Sequence, residues 1–276
     1  MENGAIHVVA VGGGSLIPMS QADGPQLANF CTDNWTWNVE DKSHDVNLCG
    51  ENFKAVHFHP NWSNGTAGVR GTRALNGGRH YWEIVVSNRI FGTSMMFGVC
   101  TKKARLHVNA FVNLLGECKH GWGLSHKGLL WHSGEWRQYT KLFTEDEATT
   151  IGLLFDGIKG TLTYYKDGCN LGVAFTDLHL VQDELYPVVC SSAAKTEMCL
   201  GIRKREYFDL QDRCRGVILA SLRQIIDIDE LPLPQIIKEY LAEGPYNEDS
   251  TESPQNGAIK CECYLLLSDV PQHVLW

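Results

Sequence analysis

The chain has 276 residues, enough for one large domain or for one domain with a small appendage. A hydrophobic fraction of 43% and a charged fraction of 20% exclude disorder of the whole chain. The formal net charge of −8 argues against non-specific nucleic-acid binding, which depends on neutralising phosphates. No apolar stretch reaches the roughly 18 residues of a membrane span, so we expect no membrane association. Since the N terminus lacks a signal-peptide pattern, we expect a cytoplasmic or nuclear protein.

The first part of the chain is predicted to be a leader followed by a β-sandwich. Residues 1–25 are rich in glycine and lack periodicity, which indicates a flexible leader. Residues 26–202 contain short runs of aromatic and β-branched residues between turn residues, which is typical of an antiparallel β-sandwich. The clearest predicted strands are 80–86, 95–100, 149–155 and 161–165, and a hairpin with its turn at Asp167-Gly168.

The tryptophans of this region divide into two groups. We expect Trp82 and Trp122 to fill the core, because buried aromatic residues dominate such sandwiches. Trp62 lies in a turn-rich stretch, where we expect it to be exposed.

After residue 202 the pattern changes from strands to helices. Apolar residues recur with helical spacing at Leu210, Cys214, Val217, Ile218 and Leu222, and Asp209 is the predicted N-cap. The prolines of a Leu-Pro-Leu-Pro segment at 231–234 interrupt the helix, and a second helix is predicted over 235–241. We therefore predict a small helical unit over 203–244 and a flexible tail over 245–276.

The sequence contains no motif for catalysis, a cofactor or a metal ion. Nucleophile-elbow, P-loop and His-Glu-x-x-His patterns do not occur, and neither does Cys-x-x-Cys. Cys261 and Cys263 lack a second close pair of ligands. His57 and His59 form the densest histidine pair and would share one strand face, but no third ligand lies beside them. We therefore predict no catalytic residue, no cofactor and no metal site.

The chain resembles a known protein family in both of its predicted parts. The segments that resemble the SPRY (B30.2-like) domain are 65–72, 80–84, 114–116, 122–125, 160–163 and 186–191. The helical unit is similar to a SOCS box. The order of the two modules is that of the SPRY domain-containing SOCS box proteins, so the expected fold class is mainly β, an antiparallel β-sandwich followed by a small α-helical SOCS box.

The resemblance implies partners and the residues that bind them. Leu210, Cys214 and Ile218 match the pattern by which such boxes bind the elongin B–elongin C pair through elongin C. A second set matches the pattern that binds cullin-5 with its RING subunit, cullin-2 being the alternative; its members are Ile228, Leu231, Pro232, Leu233, Pro234, Ile237, Tyr240 and Leu241.

The resemblance also implies a pocket for a target protein that binds through a short exposed segment. By motif, the pocket corresponds to Pro60, Trp62, Ser63, Gly92, Thr93, Phe111, Leu114, Ser192, Ala193 and Ala194. Relatives with a known binding mode hold a short peptide that contains asparagine. Here Phe111 replaces a tyrosine and Ala193 replaces a tryptophan, so the peptide preference need not carry over even if the location does.

Three functions remain open on the sequence. The first, favoured by the resemblance, is a non-catalytic substrate receptor of a cullin-RING ubiquitin ligase, which promotes ubiquitination and proteasomal degradation of a bound target. The second is a β-sandwich binding module or scaffold without ligase function, whose helical unit is purely structural. The third is an enzyme with an unrecognised site. The apolar helix stripe must be covered by the sandwich or by a partner, because so short a unit cannot bury its own core.

Overall fold

The computed structural model describes residues 24–88, 92–145, 147–222 and 225–242. Within these ranges the chain forms two antiparallel sheets packed face to face, followed by two helices. The strands are β1 Phe30–Thr32, β2 Trp37–Lys42, β3 Val46–Cys49, β4 Ala55–Phe58, β5 Thr66–Gly71, β6 Arg79–Val86, β7 Met95–Cys100, β8 His107–Val108, β9 Gly121–Ser125, β10 Leu129–His132, β11 Glu135–Gln138, β12 Thr149–Asp156, β13 Thr161–Lys166, β14 Cys169–Phe175, β15 Tyr186–Ser191 and β16 Thr196–Glu206. The helices are α1 Leu210–Ser221 and α2 Gln235–Ala242.

In both sheets some neighbouring strands are consecutive in the chain, and others are far apart in sequence. One sheet has the order β14-β13-β12-β6-β16-β4-β3, with β1 against β16. The other has the order β11-β10-β9-β7-β15-β5-β2, with β8 against β5. Most strand interiors alternate between buried and solvent-facing side chains or are buried throughout, as expected for two sheets that share one core.

The core between the sheets confirms the aromatic predictions. Trp82 and Trp122 are buried, whereas Trp62 is 82% exposed. Tyr164 from one sheet donates a hydrogen bond of 2.9 Å to the carbonyl oxygen of Phe97 in the other. This hydrogen bond gives the buried Tyr164 hydroxyl a partner inside the apolar core. A buried hydroxyl without a partner would lower the stability of the fold.

The predicted hairpin between β13 and β14 is confirmed. Asp167 and Gly168 both have positive φ, 50° and 79°, as a two-residue turn of type I′ requires. The Asp167 carboxylate accepts hydrogen bonds from the Thr149 hydroxyl at 2.9 Å and from the Thr150 amide at 2.8 Å. The turn is therefore tied to the start of β12.

The predicted helical unit is also present, with small differences in its bounds. β16 continues to Glu206, beyond residue 202, and α1 begins at Leu210 directly after its predicted cap, Asp209. A 3-10 segment, Ile225–Glu230, precedes the proline segment and α2. In the part of the chain that the structure describes, neither helix is long and apolar enough to cross a membrane. The predicted tail and nearly all of the predicted leader lie outside the described residues.

The prediction that His57 and His59 share a strand face is wrong. β4 ends at Phe58, and His59 has a φ of 44°, in the left-handed region. The chain turns there, so the His59 side chain is buried while His57 stays on the outer side of the sheet. Strand alternation therefore does not extend to His59.

Candidate functional site

The start of α1 is fixed to the end of β16 by a network of charged hydrogen bonds. The Asp209 carboxylate accepts from the Asp212 amide at 2.7 Å, which caps the helix. The Asp212 carboxylate accepts from the Phe208 amide and from both terminal nitrogens of Arg205, at 2.5 and 3.0 Å. The Arg205 guanidinium also lies over the Phe208 ring, 4.3 Å from its centroid.

The electrostatics of this network favour the ionised carboxylate. Burial alone would raise the pKa of Asp212, but hydrogen bonds from Arg205 and from the Phe208 amide outweigh it and hold the pKa below its ordinary value. A bidentate arginine pair has a narrow range of geometry, so it fixes orientation as well as distance. The direction in which α1 leaves the sandwich is therefore set by β16.

The face of α1 that carries the predicted elongin contacts is not covered by the sandwich. Leu210 is 74% exposed, Val217 is 61% exposed and Cys214 is also exposed, while Ile218 is half-buried. Burying an exposed leucine typically contributes about 1.5–3 kcal/mol. Covering this stripe of exposed apolar side chains would therefore be favourable. The sequence left open whether the sandwich or a partner covers this stripe, and in the described residues the sandwich leaves Leu210, Cys214 and Val217 exposed; their contact with elongin C stays a prediction.

The predicted cullin residues divide into buried and exposed positions. Ile228 and Leu241 are buried, so they pack the helical unit internally and offer no side-chain surface in this structure. Pro232, Pro234 and Ile237 are exposed. The half-buried members of the set are Leu231, Leu233 and Tyr240.

Two contacts hold the second half of the helical unit in place. Arg215 of α1 donates to the Leu241 carbonyl oxygen at 3.2 Å, and its guanidinium lies 5.4 Å from the centroid of the Tyr240 ring. Lys238 of α2 donates to the Asp229 carbonyl oxygen at 2.5 Å. The Leu-Pro-Leu-Pro segment lies between the 3-10 segment and α2, so these contacts fix the positions of its two ends.

The residues of the predicted target pocket lie on four loops at one end of the sandwich. The strand register places them there, because Phe58 pairs with Thr196, Ser191 with Met95, and Thr66 with Val108. The loops that follow or precede these residues must therefore emerge together. We call this surface the loop end; it comprises residues 60–65, 92–94, 109–115 and 192–195.

Short contacts join these loops to one another. The Ser63 hydroxyl donates to the Ser192 carbonyl oxygen at 2.7 Å. The Ser192 hydroxyl accepts from the Ser94 amide at 2.8 Å. Gly92 has a φ of 104°, and a β-carbon there would lie 2.9 Å from the β-carbon of Ala193, so glycine permits this close approach. The loop end is therefore a connected surface.

The predicted pocket residues differ in what they can offer a target. Trp62, Gly92, Thr93 and Phe111 are exposed, and Val112, which the sequence reasoning did not include, is exposed beside them. Pro60, Ser63 and Ala194 are half-buried, whereas Leu114, Ser192 and Ala193 are buried and can only shape the surface from below.

The sequence reasoning missed the residues that attach the helical unit to the sandwich. Arg205, Tyr207 and Asp212 were not singled out, although one signal involved Asp212 and another indicated that some group lies close to α1. Asp209 and Asp212 have the three-residue spacing of reciprocal capping, and a glycine inside a helical pattern, Gly216, often marks a close approach of another group.

Comparisons with known proteins agree with this architecture. A SPRY domain family model matches residues 79–203, and a SOCS box model matches residues 208–242. SPRY domain-containing SOCS box protein 3 of Xenopus tropicalis is 37% identical over 210 residues, covering 75% of this chain and 57% of the relative. Protein gustavus of Drosophila melanogaster is 31% identical over 220 residues, covering 75% of this chain and 78% of the relative. Human SPRY domain-containing SOCS box protein 1 is 31% identical over 223 residues, with coverages of 75% and 79%.

Solved structures with a similar arrangement include two SPRY domains. The SPRY domain of human HERC1 has a TM-score of 0.47 and 20% identity, and covers 60% of this chain and 97% of that domain. The TRIM65 PSpry domain has a TM-score of 0.48 and 19% identity, with coverages of 61% and 90%.

The fold and the attached helical unit correspond to two modules, a SPRY β-sandwich followed by a SOCS box. The chain belongs to the family of SPRY domain-containing SOCS box proteins. It spans little more than half the length of the Xenopus relatives that it matches.

Proposed function

We propose that the chain is the substrate-recognition subunit of a ubiquitin ligase of the elongin BC–cullin-5 type. The observation that carries the proposal is the exposed apolar face of α1, presented by a helix whose start is anchored to the sandwich. An amphipathic helix laid into a groove is a recurring mode of protein recognition. Elongin C is the partner that we assign to this face.

Leu210 and Cys214 support this assignment by their size and position. Leu210 lies at the start of α1 and projects a large apolar side chain into solvent, where it can enter an apolar pocket. Cys214 lies one turn later and is small enough to let the partner approach the helix closely. Ile218, half-buried one further turn along, would complete the contact.

The proline segment supports a second contact, with cullin-5. Proline fixes backbone φ, so a Leu-Pro-Leu-Pro stretch loses little conformational entropy when it docks. Pro232, Pro234 and Ile237 offer exposed apolar surface for that contact. Ile228 and Leu241 would act indirectly, by packing the segment from within.

The loop end is the surface that we assign to the target. Loops on a rigid sandwich are common recognition surfaces, and Trp62 and Phe111 provide the exposed aromatic side chains that often anchor a partner. In this proposal the chain performs no chemistry itself. It holds a target beside the ubiquitin-conjugating enzyme brought by the cullin, which raises the effective concentration of the reacting groups.

The test is reconstitution with purified elongin B–elongin C and the full chain. We expect the wild type to co-elute with the elongins in size-exclusion chromatography. A Leu210→Asp, Cys214→Ser variant should lose this association by at least about tenfold in affinity, since burial of Leu210 alone contributes about 1.5–3 kcal/mol. Aspartate at the first helical turn interacts favourably with the helix dipole, so α1 should still form.

The matched control is Leu180→Asp, which changes another exposed leucine, 69% accessible, in the sandwich. It should bind the elongins like the wild type. If the folded wild type fails to associate with the elongins, the chain is a binding module without ligase function. Retained elongin binding by the double variant, together with a lowered melting temperature, would mean that the α1 face serves folding instead.

A further inference from the structure

An open cavity of about 500 Å³ lies at the start of β4, at the opposite end of that strand from the loop end. Its lining comes from three separate segments. Asn34 and Thr36 belong to the connection between β1 and β2, residues 52–54 to the connection between β3 and β4, and Arg203 to β16. The volume lies in the range of small-ligand sites. We call this feature the β4 cavity.

The turn before β4 directs three consecutive side chains to the β4 cavity. In an extended strand, consecutive side chains point to opposite faces, but Asn52, Phe53 and Lys54 all line this one cavity. The backbone of Asn52 and Phe53 is left-handed, with φ of 54° and 53°. A positive φ is rare for a bulky aromatic residue, and such conformations often occur at ligand sites.

Arg203 brings a buried positive charge to the cavity wall. The residue is 9% exposed, and its Nη1 donates to the Trp35 carbonyl oxygen. Its Nε has no hydrogen-bond partner among the described residues. The negative charge of Asp33 acts on Arg203, but the Asp33 carboxylate forms its ion pair with Arg73. Since a buried charge without its own counter-charge is unfavourable, an anion beside Arg203 would be stabilised.

Lys54 adds a second positive charge to the lining. Its side chain is half-buried, and no carboxylate of the described residues forms an ion pair with it. The amides of Asn34 and Asn52 and the hydroxyl of Thr36 can donate hydrogen bonds. No acidic residue lines the cavity, so its wall combines two cations with neutral donors.

We propose that the β4 cavity binds a small phosphate monoester, with Lys54 and Arg203 holding the phosphate group. A phosphate monoester carries a charge of about −1.5 to −2 at pH 7, which matches two cations, whereas a carboxylate would neutralise only one. The planar guanidinium group suits phosphate oxygens. Phe53 is 48% exposed at the cavity and offers its ring to an apolar or aromatic substituent of the ligand.

The ligand would join three segments of the sandwich that are distant in sequence. These are the β1–β2 connection, the turn before β4 and the part of β16 two residues before Arg205. A ligand that binds only the folded state stabilises it by mass action. The site does not depend on the ligase proposal, because its residues lie outside the loop end and outside the helical unit.

The probes are phenyl phosphate and inorganic phosphate, titrated calorimetrically into the full chain at constant ionic strength. We expect one site per chain, with tighter binding of phenyl phosphate. Lys54→Gln should weaken the binding of phenyl phosphate by at least about tenfold, because it removes a charged hydrogen-bond donor. Phe53→Asn should remove the preference for phenyl phosphate, since asparagine tolerates a positive φ but lacks the aromatic ring.

Asn34→Ala is the second variant, because Asn34 is exposed and its loss should leave the fold intact. It should also weaken the binding of phenyl phosphate. Arg203 stays unchanged in the test, since it also holds the Trp35 carbonyl oxygen. Thermal melts without phosphate should be similar for Asn34→Ala, Lys54→Gln and the wild type, because in the described residues neither substituted side chain forms a hydrogen bond.

The matched control is Lys127→Gln, which removes the same charge from an exposed lysine between β9 and β10 in the other sheet. It should bind phenyl phosphate like the wild type. Phenyl phosphate should raise the melting temperature of the wild type and of this control more than that of Lys54→Gln. Absence of saturable binding, unchanged affinity in both Lys54→Gln and Asn34→Ala, or an equal loss in Lys127→Gln would overturn the proposal. Equal affinity of the wild type for the two probes would overturn the assignment of Phe53.

Discussion

The ring of Tyr207 lies against the backbone of Gly216, so that a β-carbon at position 216 would come within 2.6 Å of the ring. Tyr207 directly follows β16, and Gly216 lies in the middle of α1. The contact therefore joins the last strand of the SPRY sandwich to the first SOCS-box helix. Glycine costs about 1 kcal/mol relative to alanine inside a helix, and this packing gives the reason for it.

The first prediction concerns that contact. Gly216→Ala should weaken the docking of α1 although it raises helix propensity, because the new methyl group must displace the Tyr207 ring. In a Tyr207→Ala background the same substitution should instead stabilise α1, by up to about 1 kcal/mol. Amide hydrogen exchange of α1 measures both effects.

The double substitution is the control for this prediction, since it separates the steric effect from the propensity effect. Equal protection of α1 in Gly216→Ala and in the wild type would show that the ring moves aside at no cost. A gain of protection in Gly216→Ala alone would show that propensity outweighs the packing.

Much of the fold could be predicted because the signals were local. The alternation in β6, the positive-φ turn at Asp167-Gly168 and the cap at Asp209 all depend on residues that are neighbours in sequence. Long-range pairing left no such signal. Nothing near His80 indicates that it lies opposite Arg205 in β16, and the partition of strands into two sheets follows from such pairs.

The candidate sites, too, could be predicted from the sequence only where the signal was local. The stripe of α1 was visible from its spacing, but its exposure depends on how Arg205 and Asp212 orient the helix. The burial of Leu114 and Ala193 could not be read from the motif, because it results from contacts with residues that are distant in sequence. Leu114 belongs to a buried cluster with residues of β7 and β15, and Ala193 lies against Gly92.

The second prediction is a pH dependence of α1 docking. The pKa of Asp212 lies below its ordinary value of 3.8, so the carboxylate stabilises the docked state above that value, and this contribution disappears as the pH falls through the lowered pKa. We expect the NMR signals of α1 to shift towards an undocked state at acidic pH. The cause would be loss of the charged pair with Arg205.

Asp212→Asn provides the comparison for this titration. It should show weakened docking already at neutral pH, with little further change on acidification. If the α1 signals change only when the sandwich also unfolds, Asp212 does not control docking separately from the fold.

The third prediction tests the proline segment. Pro232→Ala with Pro234→Ala should weaken association with cullin-5 while leaving elongin binding intact, because both prolines are exposed and contribute rigidity to the docking surface. Adding Leu231→Ala should weaken it further. Size-exclusion chromatography with purified elongin B–elongin C and cullin-5 measures both associations.

Ile236→Ala is the matched control, because Ile236 is also exposed and apolar but lies outside the predicted cullin set. It should assemble like the wild type. Equal loss of the elongins and of cullin-5 from the proline variants would indicate that the segment is needed for the folding of the whole helical unit.

The last prediction concerns the loop end. Thr93→Arg should reduce capture of target proteins without changing elongin binding, because Thr93 is an exposed residue in a short loop before β7. A large charged side chain there would interfere with the close, desolvated contact on which binding hot spots depend. Its effect on folding should be small, since an exposed loop position has few native contacts to lose.

The comparison variant is Thr176→Arg, which introduces the same side chain at another exposed threonine. Thr176 follows β14, and the register of β13 and β12 places it at the opposite end of the sandwich from Thr93. Affinity capture from cells with the proteasome inhibited, followed by quantitative mass spectrometry, compares the two variants with the wild type. Targets that require the loop end should be depleted from the Thr93 variant and retained by the Thr176 variant. An unchanged set of targets on the folded Thr93 variant would place recognition elsewhere on the sandwich, whereas depletion from both variants would point to an effect of added charge.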